Sequence, residues 1–203
     1  MHQNLKEMKD KMEKALIIEK VFKNVFANRN TEAKELLKTE YPFQTFEVEK
    51  RTYNVNQKIE IFMKDGFIDR YSGERLLNPG VLKILSSCFP TEFPYHSHWK
   101  MTDTHVAYWE LIPTIDHIYP IARGGVDDPS NWITTSMLHN QVKNNWTLDQ
   151  LNLKLHDAGD IKNWDGLSYA MIEFLDANKE YLEDSYIMKW YRATQKYYNT
   201  KNV

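Results

Sequence analysis

An apolar segment that ends in two ionisable residues, Asp116 and His117, most constrains the fold of this chain. Residues 109–118 have the apolar character of a buried strand, and burying a charge is costly unless the charge is paired or holds a metal ion. The pair Gly124 and Gly125 then interrupts the chain before a second apolar run. We therefore expect another charged group or a metal ion to lie beside Asp116 and His117 at the end of the strand.

Further elements are predicted on both sides of this segment. Residues 132–135 are predicted to form a second short strand, and residues 136–145 a helix. Residues 5–26 place apolar side chains at helical spacing between Lys and Glu, which predicts an amphipathic helix. Residues 79–100 are expected to be irregular, and the C-terminal 50 or so residues helical.

Five polar residues in this region have a distinctive order and spacing. Asn131 lies 14 residues after His117, Asn140 nine residues further on, and Lys143 three residues after that. Together with Asp116, this order resembles the motif of the HNH endonuclease family, the ββα-metal nucleases. The wider sequence context also resembles a bacterial type of HNH protein that lacks the Cys-x-x-Cys zinc ribbon.

The resemblance covers roughly residues 64–166 and implies an α+β fold in three parts. We expect a helical N-terminal extension over residues 1–60, a ββα-metal (HNH) nuclease core over residues 61–150, and a helical C-terminal extension over residues 151–203. The family's activity implies hydrolysis of DNA phosphodiester bonds with one divalent ion, Mg²⁺ or Mn²⁺.

The resemblance also assigns the main catalytic and metal-binding residues. His117 is the expected general base, since a neutral imidazole with a pKa of about 6.5 can take a proton from water. Asp116 and Asn140 are the expected metal ligands, because oxygen donors suit a hard cation on the scissile phosphate. His139 is a less favoured alternative ligand, since helix neighbours point about 100° apart and cannot both face one ion.

Three further residues receive supporting roles. Asn131 belongs to the catalytic set, and its amide is expected to tie the loop to the backbone and keep the His117 strand oriented. Lys143 is expected either to contact a DNA phosphate, one turn from Asn140, or to be a solvated helix charge. Arg123 is expected to contact the DNA backbone or to be an ordinary loop arginine.

Many family members brace the catalytic unit with two Cys-x-x-Cys pairs that bind zinc, and this chain has neither. Residues 69–73 (DRYSG) stand where the first pair would fall, and residues 134–140 (TTSMLHN) where the second would lie. The sequence has one cysteine, Cys88. We therefore expect no structural zinc and a unit held by aromatic packing of Phe67, Tyr71, Trp99, Trp109, Trp132 and Trp146.

Composition leaves other functions open. The net charge of −2 does not by itself suggest a nucleic-acid partner. Neither a long apolar run nor a set of cysteines is present, so no membrane contact and a cytoplasmic setting are expected. The alternatives are a non-catalytic DNA-binding module on the same scaffold and a helical interaction protein. The amphipathic N-terminal helix is the expected contact for such a partner, or for a homodimer.

Overall fold

The computed structural model describes residues 13–43 and 52–201, and the chain divides into two compact units, residues 1–45 and 46–203. The described residues are mainly helical and include a two-stranded antiparallel sheet, so the fold class is α+β. None of the helices in these ranges is long and apolar enough to cross a membrane.

The first unit contains two helices that pack on each other, α1 (Lys14–Phe26) and α2 (Asn30–Glu40). Three buried apolar side chains form a small core between them. The amphipathic helix predicted over residues 5–26 is present from Lys14 onward, and residues 5–12 lie outside the described part of the chain.

The second unit contains the sheet and the remaining helices. The helix Ser185–Lys201 (α9) packs on the helices Val55–Lys64 (α3) and Pro79–Cys88 (α4), and α3 contacts both strands. Helix α3 also runs across residue 60, where the N-terminal extension was expected to end. The elements are α3 (Val55–Lys64), α4 (Pro79–Cys88), α5 (Ala107–Glu110), β1 (Pro113–His117), β2 (Trp132–Ser136), α6 (Met137–Lys143), α7 (Leu148–Leu151), α8 (Ser168–Ala177) and α9 (Ser185–Lys201), with 3-10 turns at Ile121–Arg123, Pro129–Asn131 and Lys179–Glu183.

Two local predictions were wrong. Residues 79–88, expected to be irregular, form α4, because the Asn78 side chain caps its start and Pro79 occupies the first turn, where proline is tolerated. The first strand is shorter than expected and begins only at Pro113, since residues 107–110 form the helical turn α5.

Side chains complete the outer edge of the sheet. β1 and β2 pair with each other in continuous antiparallel register. On the other edge of β2, the N–H of Thr134 donates to Asp65 Oδ2 at 2.7 Å and the N–H of Ser136 donates to Asp69 Oδ2 at 2.8 Å. Buried strand N–H groups need partners, and these two carboxylates supply them.

The predicted aromatic packing is present at most positions. Phe67, Tyr71, Trp109 and Trp132 are buried, and Trp99 packs edge-on against Trp109. The prediction is wrong for Trp146, which is 49% exposed. This tryptophan therefore does not help to hold the unit together.

Candidate active site around strand β1

Asp116, near the end of β1, forms a buried ion pair with Lys143. Lys143 Nζ lies 2.9 Å from Asp116 Oδ2, and it donates to the backbone carbonyl of His117 at 2.8 Å. The Tyr71 hydroxyl donates to the same carboxylate oxygen at 2.7 Å. Burial and the neighbouring Asp116 charge raise the pKa of Tyr71, so this side chain remains a neutral donor.

The burial of Lys143 overturns both roles predicted for it. Only 1% of the residue is exposed, whereas a phosphate contact or a solvated helix charge requires an accessible ammonium. A buried charge persists where a partner and hydrogen bonds compensate for lost solvation. Here the Asp116 carboxylate and the His117 carbonyl do so, and Lys143 holds the end of β1.

Asn140 lies against the same face of β1 as Asp116. Its Nδ2 donates to Thr114 Oγ1 at 2.9 Å and to the Ile115 carbonyl at 3.2 Å, and residues 114 and 116 share a strand face. The position follows from the start of α6, where the Ser136 hydroxyl accepts the N–H of the third helical residue.

The donor atoms of Asp116 and Asn140 suit a hard divalent cation. Among the contacts of the described residues, partners occupy Asp116 Oδ2 and Asn140 Nδ2, while Oδ1 of each residue has none. Carboxylate and amide oxygens are preferred ligands of Mg²⁺ and Mn²⁺. The ammonium of Lys143, 2.9 Å from Asp116, opposes a second cation, so negative ligands would have to offset this repulsion. Within residues 13–43 and 52–201, no three His, Cys, Asp or Glu side chains form a metal-binding group.

His117 is buried and fixed through its Nε2 atom. Nε2 lies 2.9 Å from Asp127 Oδ1 and 3.2 Å from the Tyr53 hydroxyl. Tyr53 and Trp132 Nε1 also donate to Asp127 Oδ1, at 2.6 and 2.8 Å. Because a carboxylate only accepts and the Tyr53 hydrogen is used on Asp127, this arrangement fits a proton on Nε2.

Sequence reasoning missed Asp127. Partial burial alone would raise the pKa of Asp127, but hydrogen bonds from Tyr53, His117 and Trp132 outweigh burial and lower it. The adjacent Asp128 caps a 3-10 turn by accepting from Ser130 N–H. Nothing local in the sequence distinguishes the turn-capping aspartate from the one that holds His117.

The Asp116 and His117 side chains point to opposite faces of β1. The described ladder with β2 continues through both residues without a bulge, and β1 ends at His117. The two side chains share no described partner. They are connected through Lys143, which contacts the carboxylate of Asp116 and the carbonyl of His117.

Asn131 fastens the loop between the strands. Its Oδ1 accepts from Tyr119 N–H at 2.9 Å, and its Nδ2 donates to the carbonyls of Tyr119 and Val126 at 2.9 and 2.8 Å. The predicted tie between amide and loop backbone is therefore present. Since Val126 immediately precedes Asp127, this tie also positions the carboxylate that holds His117.

Arg123 is partly exposed at a rigid turn of the same loop. Its Nε donates to the Asn145 carbonyl at 2.5 Å, and its guanidinium carbon lies 5.2 Å from the centre of the Trp146 ring. Gly124 ends the turn in the left-handed region at φ 89°. At Gly125 a Cβ atom would come within 2.1 Å of a loop carbonyl oxygen, so the turn requires glycine there.

A second carboxylate cluster joins the two stretches where zinc-binding cysteines would stand. Asp69 accepts from Tyr71 N–H and Thr135 Oγ1 at 2.9 Å and from Ser136 N–H at 2.8 Å, and it lies 2.7 Å from His139 Nδ1. Burial alone would raise the pKa of Asp69, but hydrogen bonds from His139, Ser136 and Tyr71 outweigh burial and lower it. A buried, ionised carboxylate thus connects the two stretches.

His139 contacts the Asp69 cluster through one ring nitrogen. Its Nδ1 is committed to Asp69 and lies 3.0 Å from Ser136 Oγ. The less favoured assignment of His139 as a metal ligand stays a prediction, because a histidine can bind a metal through Nε2 while its Nδ1 contacts a carboxylate. The side chains of the neighbouring residues His139 and Asn140 point in different directions on α6, as helix geometry requires.

Comparison of the chain with protein-family models, curated proteins and solved structures finds no match. Two side-chain clusters on β1 therefore provide the observations from which a function can be assigned. One contains Asp116, Asn140 and Lys143, and the other contains His117, Asp127 and Tyr53.

Proposed function

We propose that this protein is a metal-dependent HNH endonuclease that hydrolyses DNA phosphodiester bonds on a ββα-metal core. The observation that carries the proposal is the end of β1. There, His117 is held through one ring nitrogen by a carboxylate, and the adjacent Asp116 retains one oxygen for a cation. The order strand, loop, strand and helix also agrees with the motif's implied core.

His117 acts as the general base in this proposal. Phosphodiester hydrolysis needs a water that loses a proton as it attacks. A neutral imidazole can take that proton on a ring nitrogen near neutral pH. The Asp127 carboxylate then stabilises the imidazolium that forms when His117 takes the proton.

Asp116 and Asn140 hold one Mg²⁺ or Mn²⁺ ion. When bound, the ion supplies charge stabilisation at the scissile phosphate and the leaving oxygen. Tyr71 and Lys143 fix Asp116 through Oδ2, which orients the remaining oxygen before the ion arrives. Because Lys143 repels cations, we expect the ion to bind more tightly when a DNA phosphate is present.

Arg123 provides the contact to the DNA backbone. Its Nε is used on the Asn145 carbonyl, while the guanidinium carries further N–H donors suited to phosphate oxygens. Lys143 is left out of this contact because it is buried.

Plasmid nicking tests the proposal directly. Purified wild-type protein is compared with His117→Ala in Mg²⁺, Mn²⁺ or EDTA, with His98→Ala, an exposed histidine, as the matched control. We expect metal-dependent nicking by wild type and by His98→Ala, and none by His117→Ala. Nicking by His117→Ala would contradict the assignment of the general base.

The same preparation distinguishes the non-catalytic alternative. If wild-type protein retards DNA in a gel but nicks no substrate in any metal, the scaffold binds without cleaving, and the endonuclease proposal fails. If the wild-type protein neither binds nor cleaves DNA, the remaining alternative is a helical interaction protein that binds a partner.

A homodimer through α1 is a separate proposal. Several large apolar side chains remain exposed on this helix, and monomeric proteins rarely expose large contiguous apolar patches; these are Leu16, Ile18, Phe22, Val25 and Phe26. Light scattering is expected to give a dimer mass for wild type and a monomer mass for Phe22→Glu. A wild-type monomer at all concentrations would contradict it.

A further inference from the structure

We propose that Trp146 and Arg123 form a stacking subsite for an unpaired base next to the cleaved phosphate. The inference rests on the proposed endonuclease function and names its substrate class as DNA with locally unpaired or single-stranded bases. Neither the motif nor the metal ligands imply such a preference.

Trp146 follows helix α6, three residues after Lys143. Its backbone N–H donates to the carbonyl of Lys143 at 3.0 Å, and the side chain of Lys143 holds Asp116. The indole is therefore presented one turn beyond the helix that carries Asn140. It is 49% exposed, although burial of an aromatic side chain this large is normally favourable.

Arg123 lies over the indole ring, and about half of the Trp146 surface is exposed. The guanidinium carbon lies over the ring, 5.2 Å from its centre, and the Nε–H bond to Asn145 fixes its orientation. Proteins that bind single strands combine aromatic stacking platforms with cationic groups that follow the phosphates. Trp146 and Arg123 provide one of each.

The backbone around this pair is already ordered. Asn144 ends the helix with a positive φ of 47°, and its N–H donates to the carbonyl of Asn140 at 2.9 Å. Arg123 stands on a 3-10 turn that closes at Gly124. A platform held in place before binding loses little conformational entropy when a base stacks on it.

The chemistry of the platform favours unpaired over paired bases. A duplex presents base edges in its grooves and keeps the base faces stacked. An indole face can stack only on a base whose own face is open, as in a single strand, a gap, a loop or a flipped nucleotide. Because every base has such a face, we expect this subsite to tolerate different sequences.

Equilibrium binding in EDTA tests the subsite without cleavage. Fluorescence anisotropy compares three labelled DNAs of one sequence: a single strand, a perfect duplex and a duplex with an internal loop. We expect wild type to prefer the two unpaired forms. Trp146→Leu is expected to weaken their binding by about tenfold or more, because one base stacked on an aromatic ring raises the affinity by roughly that factor. Binding of the perfect duplex is expected to be unchanged.

A matched control uses a second arginine–tryptophan pair among the described residues. Arg75 lies 5.0 Å over the ring of Trp164, and neither residue belongs to the two clusters on β1, so Arg75→Lys is expected to leave the preference for unpaired DNA intact. Arg123→Lys keeps the charge but loses the planar guanidinium, and it is expected to reduce that preference partly. Urea unfolding should show that Trp146→Leu is folded.

Tryptophan fluorescence gives an independent reading. A base stacked on Trp146 should quench its emission, so the quenching by single-stranded DNA in wild type should be reduced in Trp146→Leu. The proposal is overturned if wild type binds duplex as well as unpaired DNA, if it binds no DNA, or if Trp146→Leu binds like wild type. Plasmid nicking, measured separately, shows whether the endonuclease proposal fails as well.

Discussion

The second unit contains two histidine–carboxylate pairs that use the same chemical groups in opposite ways. In the first, His117 is buried, and its partner Asp127 keeps 38% of its side chain exposed, with 2.9 Å between the atoms. In the second, Asp69 is fully buried, and its partner His139 keeps 33% of its side chain exposed, with 2.7 Å between the atoms.

The partners of each carboxylate explain the difference. Besides its contact with the histidine, Asp69 accepts hydrogen bonds from backbone N–H groups and a hydroxyl of two separate stretches of chain. It therefore links those stretches. Among the described residues, the donors to Asp127 are the side chains of Tyr53, His117 and Trp132, so Asp127 orients them. A buried carboxylate with backbone partners stabilises the fold, whereas a carboxylate on a loop can orient a reactive histidine.

The largest expected difference between the two pairs is in the rate of DNA cleavage after each histidine is replaced. His117→Ala is expected to reduce DNA cleavage by about 10²- to 10⁴-fold, the usual contribution of a general base, while His139→Ala should change the rate little once the protein is folded. Initial nicking rates at saturating metal measure both. Equal losses in the two variants would mean that the pairs do not differ in function.

Replacing the two aspartates should affect stability in the opposite order, with the larger loss in the Asp69–His139 pair. Asp69→Ala is expected to lower the free energy of unfolding by about 3 kcal/mol or more, because it leaves buried donors without an acceptor. Asp127→Ala should cost far less, since its carboxylate is partly exposed. Urea unfolding followed by tryptophan emission measures both, with the exposed Glu92→Ala as control. Comparable losses for Asp69→Ala and Asp127→Ala would contradict the comparison.

Asp127→Asn should affect cleavage more than stability. An asparagine keeps the size of the side chain but presents an amide that can favour the wrong histidine tautomer. We expect cleavage to fall by about ten- to a hundredfold, as for other residues that orient a reactive group, with DNA binding in EDTA unchanged. Unaltered cleavage would show that Asp127 does not act through His117.

The smallest expected effect is on the pH dependence of stability. The pKa of Asp69 is lowered in the folded protein, so its contribution is fully present above the unfolded value of about 3.9 and is lost as the pH falls through the lower folded value. Between about pH 5 and pH 2, the free energy of unfolding should fall less steeply for Asp69→Asn than for wild type. Glu92→Gln, an exposed carboxyl, should follow wild type.

Much of the local structure near the site could be predicted from the sequence. The two strands and the helix after them follow from short-range apolar patterns and from the Ser136 cap. The loop tie made by Asn131 was also predictable, because its partners lie within 12 residues. The same local reasoning failed at α4, where a capped proline start outweighed the surrounding irregular composition.

The sequence by itself determined which groups stand at the end of β1, because strand alternation and helix spacing are local properties of the chain. Only the tertiary structure decided how those groups are paired. Tyr53 reaches Asp127 across 74 positions and Asp69 reaches His139 across 70, and the burial of Lys143 depends on elements packed around it. Long-range packing sets the solvation of each charge, and solvation decides whether a charged group braces the fold or remains accessible to a ligand.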